Sequence, residues 1–199
     1  MVAVRELSPP PVNVNETLRY ARCAKTSGEV MKLLQEALCE AEPVLTYKAA
    51  YTRLPLKIEG DVSFIGNACF ESKNLAKNLH GCNEAILFAA TLGIGIDRLI
   101  TKYSKISPAR ALMLQAIGAE RIEALCDALE EEIKSTESVA LKPRFSPGYG
   151  DLSLDYQRDL SDILNMSKTL GICLNSSMLL SPSKSVTAIV GVIKKTNQI

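Results

Sequence analysis

The chain contains no tryptophan and one histidine in 199 residues, and its six cysteines include no Cys-x-x-Cys pair. A Ser-His-Asp triad would have to use His80, and no Gly-x-Ser-x-Gly motif accompanies it. His80 precedes Gly81 and fits the last turn of a short helix better than a catalytic role. Metal sites that need two histidines are excluded, and zinc ribbons and dithiol redox motifs need close cysteine pairs. We therefore expect no metal site, and reduced cysteines that lie mostly in the core.

An excess of charge and long apolar runs are also missing. The 23 basic residues face 22 acidic ones, which argues against extended contacts with nucleic acid or a membrane surface. No stretch approaches the ~18 apolar residues of a membrane-spanning helix. Residues 1–6 lack the basic and apolar regions of a signal peptide. The sequence predicts a cytoplasmic protein with no nucleic-acid or membrane partner.

The apolar pattern predicts one α+β domain. Residues 1–12, which include three consecutive prolines, are expected to form an extended lead-in to a domain over 13–199. Helical patterns cover about 15–23, 26–41, 72–80, 95–103, 107–134 and 155–166, and strand patterns occur near 47–52, 62–65, 85–92, 170–174 and 185–193. Helices and strands do not alternate regularly, so we expect a twisted, mainly antiparallel sheet with several helices.

Two glycine-containing segments, one at Gly93 and Gly95 and one at Gly118, have different interpretations. Gly93 and Gly95 lie between a predicted strand and a predicted helix, where backbone amides could bind an anion. The segment lacks the third glycine of a dinucleotide fingerprint and the lysine of a P-loop, which favours a tight turn. Gly118 lies inside the longest predicted helix, where glycine costs ~1 kcal/mol relative to alanine. We expect it to allow the close approach of another backbone.

Acidic residues follow Gly118 on the same helix. Glu120, Glu123 and Asp127 share one side of it. Two interpretations are open: the residues form a solvated acidic face, or one carboxylate turns inward and accepts a hydrogen bond from a ligand ammonium group.

The most informative segment runs from Arg144 to Gly150, with the sequence Arg-Phe-Ser-Pro-Gly-Tyr-Gly. Pro147 and Gly148 predict a tight turn, with glycine supplying a positive φ. Arg144 has the planar fork that binds a carboxylate, and Tyr149 offers an aromatic face and a hydroxyl. Taken alone, the segment is either a binding loop or an ordinary surface loop.

At this segment the chain resembles the reactivation domain of cobalamin-dependent methionine synthase. That family has an Arg-x-x-x-Gly-Tyr motif in its S-adenosylmethionine-binding loop, matched here by Arg144, Gly148 and Tyr149. Residues 170–179 resemble the family's Ile-Gly-x-x-Leu-Thr-Glu-Ser-x-x-Met region, and residues 182–187 resemble its Pro-x-x-Ser-Val-Ser strand entry. Similarity covers about residues 107–193.

The resemblance implies a site, a cofactor and partners. It implies S-adenosylmethionine binding, with Arg144 on the carboxylate, Glu120 on the amino group, and Gly148 and Tyr149 on the adenosine side. The family's activity is reductive methylation of cob(II)alamin. The family signature Asp-x-His-x-x-Gly, which supplies a histidine to cobalt, is absent. Cobalamin is therefore expected on the partner, a corrinoid-binding methionine synthase subunit, together with an electron donor. The chain then resembles a free-standing reactivation module of this methyltransferase.

Two features of the family have no counterpart here. The family's acidic residue in a tryptophan-containing N-terminal segment has no match, and its Tyr-Phe pair after the Ser-Val strand is replaced by Val190-Gly191. The alternative is a non-catalytic binding or scaffold protein that kept the fold and lost S-adenosylmethionine binding.

Overall fold

The structure, a computed structural model, describes residues 1–23 and 26–194. Residues 24, 25 and 195–199 of the expected domain lie outside the described residues. The strands are β1 (Ala3–Glu6), β2 (Lys48–Glu59), β3 (Val62–Ile65), β4 (Ala68–Glu71), β5 (Glu84–Thr91), β6 (Val139–Leu141), β7 (Cys173–Leu174), β8 (Leu180–Ser181) and β9 (Ser185–Lys194). The helices are α1 (Val14–Tyr20), α2 (Gly28–Ala41), α3 (Lys73–Asn78), α4 (Gly95–Ser104), α5 (Pro108–Thr136), α6 (Gln157–Leu164) and α7 (Met166–Leu170).

An antiparallel sheet forms the centre of the fold. Within the described residues it has seven strands in the order β4-β3-β2-β5-β9-β6, with β1 paired to the first residues of β2. Strands β7 and β8 form a separate two-stranded ribbon. The predicted α+β class with a mainly antiparallel sheet is confirmed. Strand β1 lies within the expected lead-in 1–12 and joins the sheet, and the division at residue 13 stays a prediction.

Strand β5 is buried on both faces. Ile86 and Phe88 point into a core shared with α5, while Ala85 and Leu87 point into a second core beneath α3 and α6. Burial on two faces explains why this strand is an almost continuous apolar run rather than an alternating one.

Helix α5 is 29 residues long and joins two parts of the core. Near its beginning, Leu114 and Ile117 pack against α1, α2 and α4, and farther along Leu125 and Leu129 pack against the sheet. The predicted start at Ser107-Pro108 is confirmed. None of the helices within the described ranges is long and apolar enough to cross a membrane.

The glycine interpretations have different outcomes. Gly93 has φ +75°, as a tight turn requires, while a Cβ at Gly95, the first residue of α4, would overlap the backbone carbonyl of Val44. The first glycine therefore serves the turn and the second a close backbone approach. The expectation for Gly118 is wrong in its detail. A Cβ there would lie 2.7 Å from Cε of Lys184, so a side chain, and not a backbone, crosses the helix.

Some element boundaries and side-chain positions also differ from expectation. The predicted helix over 155–166 ends two residues early, because α6 stops at Leu164 and Asn165 adopts a left-handed conformation with φ 50°. Residues 166–170 form the additional helix α7, and the strand predicted over 170–174 is confined to β7. Cysteines at two positions are buried, namely Cys82 and Cys126. Cysteines at three other positions, expected mostly in the core, are exposed: Cys39, Cys69 and Cys173.

Candidate functional site

The loop after β6 is fixed to the sheet by one isolated bridge. The amide of Phe145 donates to the carbonyl of Ile189 at 3.0 Å, and the amide of Ile189 donates back at 2.8 Å. Neighbouring residues in extended backbone point to opposite sides. Phe145 therefore packs into the core beneath α3 and α6, while Arg144 points to α5.

Arg144 binds the acidic side of α5. Its guanidinium donates to Asp127 at 2.6 Å, Glu130 at 2.9 Å and Glu123 at 3.0 Å. Burial by itself would lower the pKa of Arg144, but the hydrogen bond to Asp127 and the nearby negative charges outweigh it, and the pKa is raised. The loop guanidinium is thus held permanently charged against the helix.

Glu120 turns inward, and its partners come from the protein. Its Oε1 accepts from the amide of Asn13 at 3.0 Å and from Nη2 of Arg121 at 2.6 Å, while Oε2 accepts from Nε of Arg121. Only 5% of the Glu120 side chain is exposed. A carboxylate has about four lone-pair sites. Glu120 therefore has room for one more donor, and its predicted role toward a ligand ammonium stays a prediction.

A cavity lies between the N-terminal segment and α5. Its volume is about 500 Å³, and it is lined by Pro10, Pro11, Asn13, Glu16, Tyr20, Glu120, Glu123, Ala124, Asp127, Ala128 and Glu131. Two of the carboxylates that bind Arg144, those of Glu123 and Asp127, line this cavity. The structure therefore brings Glu120 together with two of the three acidic partners of Arg144 at one cavity.

Tyr149 lines a different cavity from Glu120, and Gly148 precedes it in the turn. Gly148 has φ +86°, as the turn prediction requires, and its amide donates to the carbonyl of Leu152 at 2.8 Å. Tyr149 is 68% exposed, and its ring lies edge-on to the ring of Phe145, with 5.4 Å between the two ring centroids. Tyr149 lines a cavity of about 660 Å³ together with Asn74, Lys77, Asn78, Phe145 and Gly150. Glu120 and Tyr149 thus line two different cavities, and of the other predicted site residues neither Arg144 nor Gly148 is among the described residues that line either one.

Asp151 anchors the end of the loop, and no local sequence pattern indicates this role. Its carboxylate accepts from the hydroxyl of Ser72 and from the amides of Lys73 at 3.0 Å and Asn74 at 3.3 Å. The hydrogen bond from Ser72 is the main cause that lowers the pKa of Asp151. The carboxylate therefore ties the loop to the first turn of α3. Its partners lie more than 70 residues away in sequence, which no local pattern reveals.

Arg121 is a second residue that sequence reasoning missed. Its side chain is 2% exposed and joins Glu120 to the proline segment. An arginine inside an amphipathic helix gives no indication of such a role. Across residues 1–23 and 26–194, no group of three His, Cys, Asp or Glu side chains could hold a metal ion.

Comparison with known proteins identifies the fold. No protein-family model matches the chain, and no curated protein matches it. A solved structure described as the MetH reactivation domain bound to AdoHcy superposes with a TM-score of 0.71 and 16% sequence identity. The match covers 100% of this chain and 80% of that one. The chain has the fold of that domain, which confirms the resemblance seen in the sequence at the level of fold.

Proposed function

We propose that this chain is a free-standing reactivation module, which binds S-adenosylmethionine and serves a corrinoid held by a separate methionine synthase subunit or a related protein. The observation that carries the proposal is the 3.0 Å ion pair between Arg144 and Glu123 beside the α5 cavity. It occurs in a chain with the fold of a domain solved with AdoHcy, the demethylated form of S-adenosylmethionine.

The residues present fit the amino-acid end of such a ligand. An α-carboxylate suits the planar fork of Arg144, and an α-ammonium suits a carboxylate. If the ligand enters between Arg144 and Glu123, each side chain exchanges one charged partner for another, and neither is left unpaired. Glu120 is the second candidate for the ammonium group, because it lines the same cavity.

The remaining parts of the ligand have weaker but identifiable counterparts. The exposed ring of Tyr149 and the turn at Gly148 offer a stacking surface and backbone groups for the adenosine side. The ligand supplies an electrophilic methyl group on a positive sulfonium. The carboxylates of Glu123, Asp127 and Glu131 give the α5 cavity a charge that complements such a cation.

A second function is favoured by the same geometry. Arg144 already binds carboxylates of its own protein, and Tyr149 lines a separate cavity. A scaffold protein that has lost the ligand would satisfy its arginine internally in this way. The alternative is therefore a non-catalytic binding protein with the same fold.

Calorimetric titration with S-adenosylmethionine and S-adenosylhomocysteine separates the two functions. We expect the wild type to bind, and Arg144→Ala to weaken binding roughly 10- to 150-fold, because a hydrogen bond to a charged group contributes ~1.5–3 kcal/mol. Arg144→Lys should recover part of the loss, since lysine lacks the fork. The matched control is Arg98→Ala, which removes an exposed arginine that has no ion pair within the described ranges. If titration of the wild type with either ligand releases or absorbs no heat, the result favours the non-catalytic scaffold protein.

Two further variants identify the ammonium partner. If Glu123 binds the ligand ammonium, Glu123→Gln should lower the affinity for S-adenosylmethionine more than Glu120→Gln does. The melting temperature of each variant shows whether a loss of affinity comes from a loss of stability. The reverse order would assign the role to Glu120.

The partner is tested with the whole chain. Mixed with free hydroxocobalamin and desalted, the protein should remain colourless, because the corrinoid belongs to another protein. A stoichiometric red complex would contradict the proposal that cobalamin is held only by the partner.

A further inference from the structure

The N-terminal segment has an unusual hydrogen-bonding requirement. Pro9, Pro10 and Pro11 have no backbone N–H, so the segment offers carbonyl acceptors and no donors. The structure meets this requirement with a side chain that only donates. The guanidinium of Arg121 donates to the carbonyl of Pro10 and, at 2.7 Å, to the carbonyl of Pro11.

The same guanidinium is tied to the helix behind it. Arg121 is paired with Glu120, and their side chains are 2% and 5% exposed. Glu120 in turn accepts the amide of Asn13, the residue that caps α1. The pair thus holds the segment at Pro10 and Pro11 through the arginine and at Asn13 through the glutamate. Removing one member of such a pair leaves a buried charge unpaired, so each depends on the other.

The held segment forms one wall of the α5 cavity. Pro10, Pro11 and Asn13 line the cavity, and Glu123 and Asp127 line it from α5. Arg121 is not one of the described residues that line this cavity. Its hydrogen bonds go to Pro10 and Pro11 in this wall and to Glu120, and it also interacts with Tyr47.

We propose that Arg121 is a positioning residue, which fixes the Pro10–Asn13 segment as a wall of the candidate ligand cavity without contacting the ligand. The effect on ligand binding rests on the proposed function. A wall that is in place before binding removes an ordering cost from the binding step. Arg121→Lys keeps the charge beside Glu120, but an ammonium is a point charge that cannot reach two successive carbonyls in a fork.

The first measurement needs no ligand. Hydrogen exchange of the Asn13 amide, which donates to Glu120 at 3.0 Å, reports directly whether the wall is held. In Arg121→Lys we expect this amide to exchange at least about tenfold faster, the equivalent of losing ~1.4 kcal/mol locally, while amides of β5 keep their protection. The control is Leu160→Ala, which removes a buried side chain from the core beneath α3 and α6. An unchanged Asn13 amide in Arg121→Lys would overturn the proposal.

A second variant covers the case in which Arg121→Lys does not fold. The double variant Glu120→Gln with Arg121→Gln removes both charges together and leaves no buried charge unpaired. It should also free the Asn13 amide selectively. If the whole protein loses protection evenly instead, the pair is a general stability element and the proposal is wrong.

The second measurement is S-adenosylmethionine affinity. Arg121→Lys should weaken binding by about tenfold or more, a factor worth ~1.4 kcal/mol, and by more than Leu160→Ala at an equal fall in melting temperature. Equal affinities for these two variants would reduce Arg121 to a structural role. If the wild type binds neither S-adenosylmethionine nor S-adenosylhomocysteine, the proposed function fails, and hydrogen exchange alone still decides whether Arg121 positions the wall.

Discussion

Nη2 of Arg144 lies 3.0 Å from Oε2 of Glu123, and this ion pair joins the loop after β6 to the side of α5 that lines a cavity. The pair relates the most informative loop of the sequence to its longest helix. The pair also changes the interpretation of Arg144. The sequence predicts a guanidinium that binds a ligand carboxylate, and in the structure this guanidinium is already paired with carboxylates of the protein. A ligand carboxylate would therefore meet a guanidinium that already has three carboxylate partners.

Arg144 is expected to contribute to stability as well as to binding. Its side chain is 23% exposed, and its removal would leave Glu123, Asp127 and Glu130 as neighbouring like charges. We expect Arg144→Ala to lower the free energy of unfolding by about 1–3 kcal/mol, between the values for exposed and buried ion pairs. Urea unfolding checks this, with Arg98→Ala as the control. A loss no larger than that of the control would show that the ion pairs contribute nothing net.

The sequence predicted the elements that are set by local patterns. The apolar run of β5 and the Ser107-Pro108 start of α5 are visible because burial on two faces and helix capping leave a signature within a few residues. The short helix α7 is not predicted, since five helical residues that follow a single left-handed residue leave no such signature.

The site was predictable only in part, for the same reason. The Arg144–Tyr149 loop and the acidic side of α5 were both identified, but not their contact, because the arginine and its acidic partners lie 14 to 21 residues apart. Arg121 and the proline segment are separated by about 110 residues. Contacts of this kind depend on how the elements pack, and one sequence does not record that packing.

Gly95, the first residue of α4, allows a test of close backbone packing. A Cβ at Gly95 would overlap the carbonyl of Val44, which belongs to the backbone and cannot rotate away. We expect Gly95→Ala to lower the free energy of unfolding by about 1–3 kcal/mol or more, as in other overpacked sites. Gly28→Ala is the matched control, because a Cβ there meets nothing within 4 Å. It should be neutral or slightly stabilising, since alanine favours a helix. Similar stabilities for the two variants would refute the overlap.

Five of the six cysteines should divide into two classes by thiol reactivity, and Cys23, which is half-buried, should react at an intermediate rate. Cys39, Cys69 and Cys173 are exposed and should react rapidly with a thiol reagent in the native protein. Burial raises the pKa of Cys82 and Cys126, which should react only after unfolding. Titration in denaturant without reductant should then find all six thiols of the sequence. A count of four or fewer in freshly purified protein would contradict the expectation of reduced cysteines.

Asp151 should make the stability of the loop over residues 144–151 depend on acid pH. The hydrogen bond from Ser72, followed by the amides of α3, lowers the pKa of Asp151 below its ordinary value of 3.8. The unfolded chain therefore takes up this proton at a higher pH than the folded protein does. The stabilising effect is complete above about pH 5, begins to decrease as the unfolded chain takes up the proton, and is lost as the pH falls through the lowered folded value.

Asp151→Asn isolates this effect, because asparagine keeps the shape of the side chain but not its charge. The difference in free energy of unfolding between the wild type and Asp151→Asn should be constant from neutral pH to about pH 5 and should shrink in more acidic solution. Urea unfolding at a series of pH values measures it. Asp61→Asn is the control, since the Asp61 side chain is exposed and makes no hydrogen bond or ion pair with the described residues. A wild-type advantage that persists unchanged into strong acid would mean that the charge of Asp151 does not hold the loop to α3.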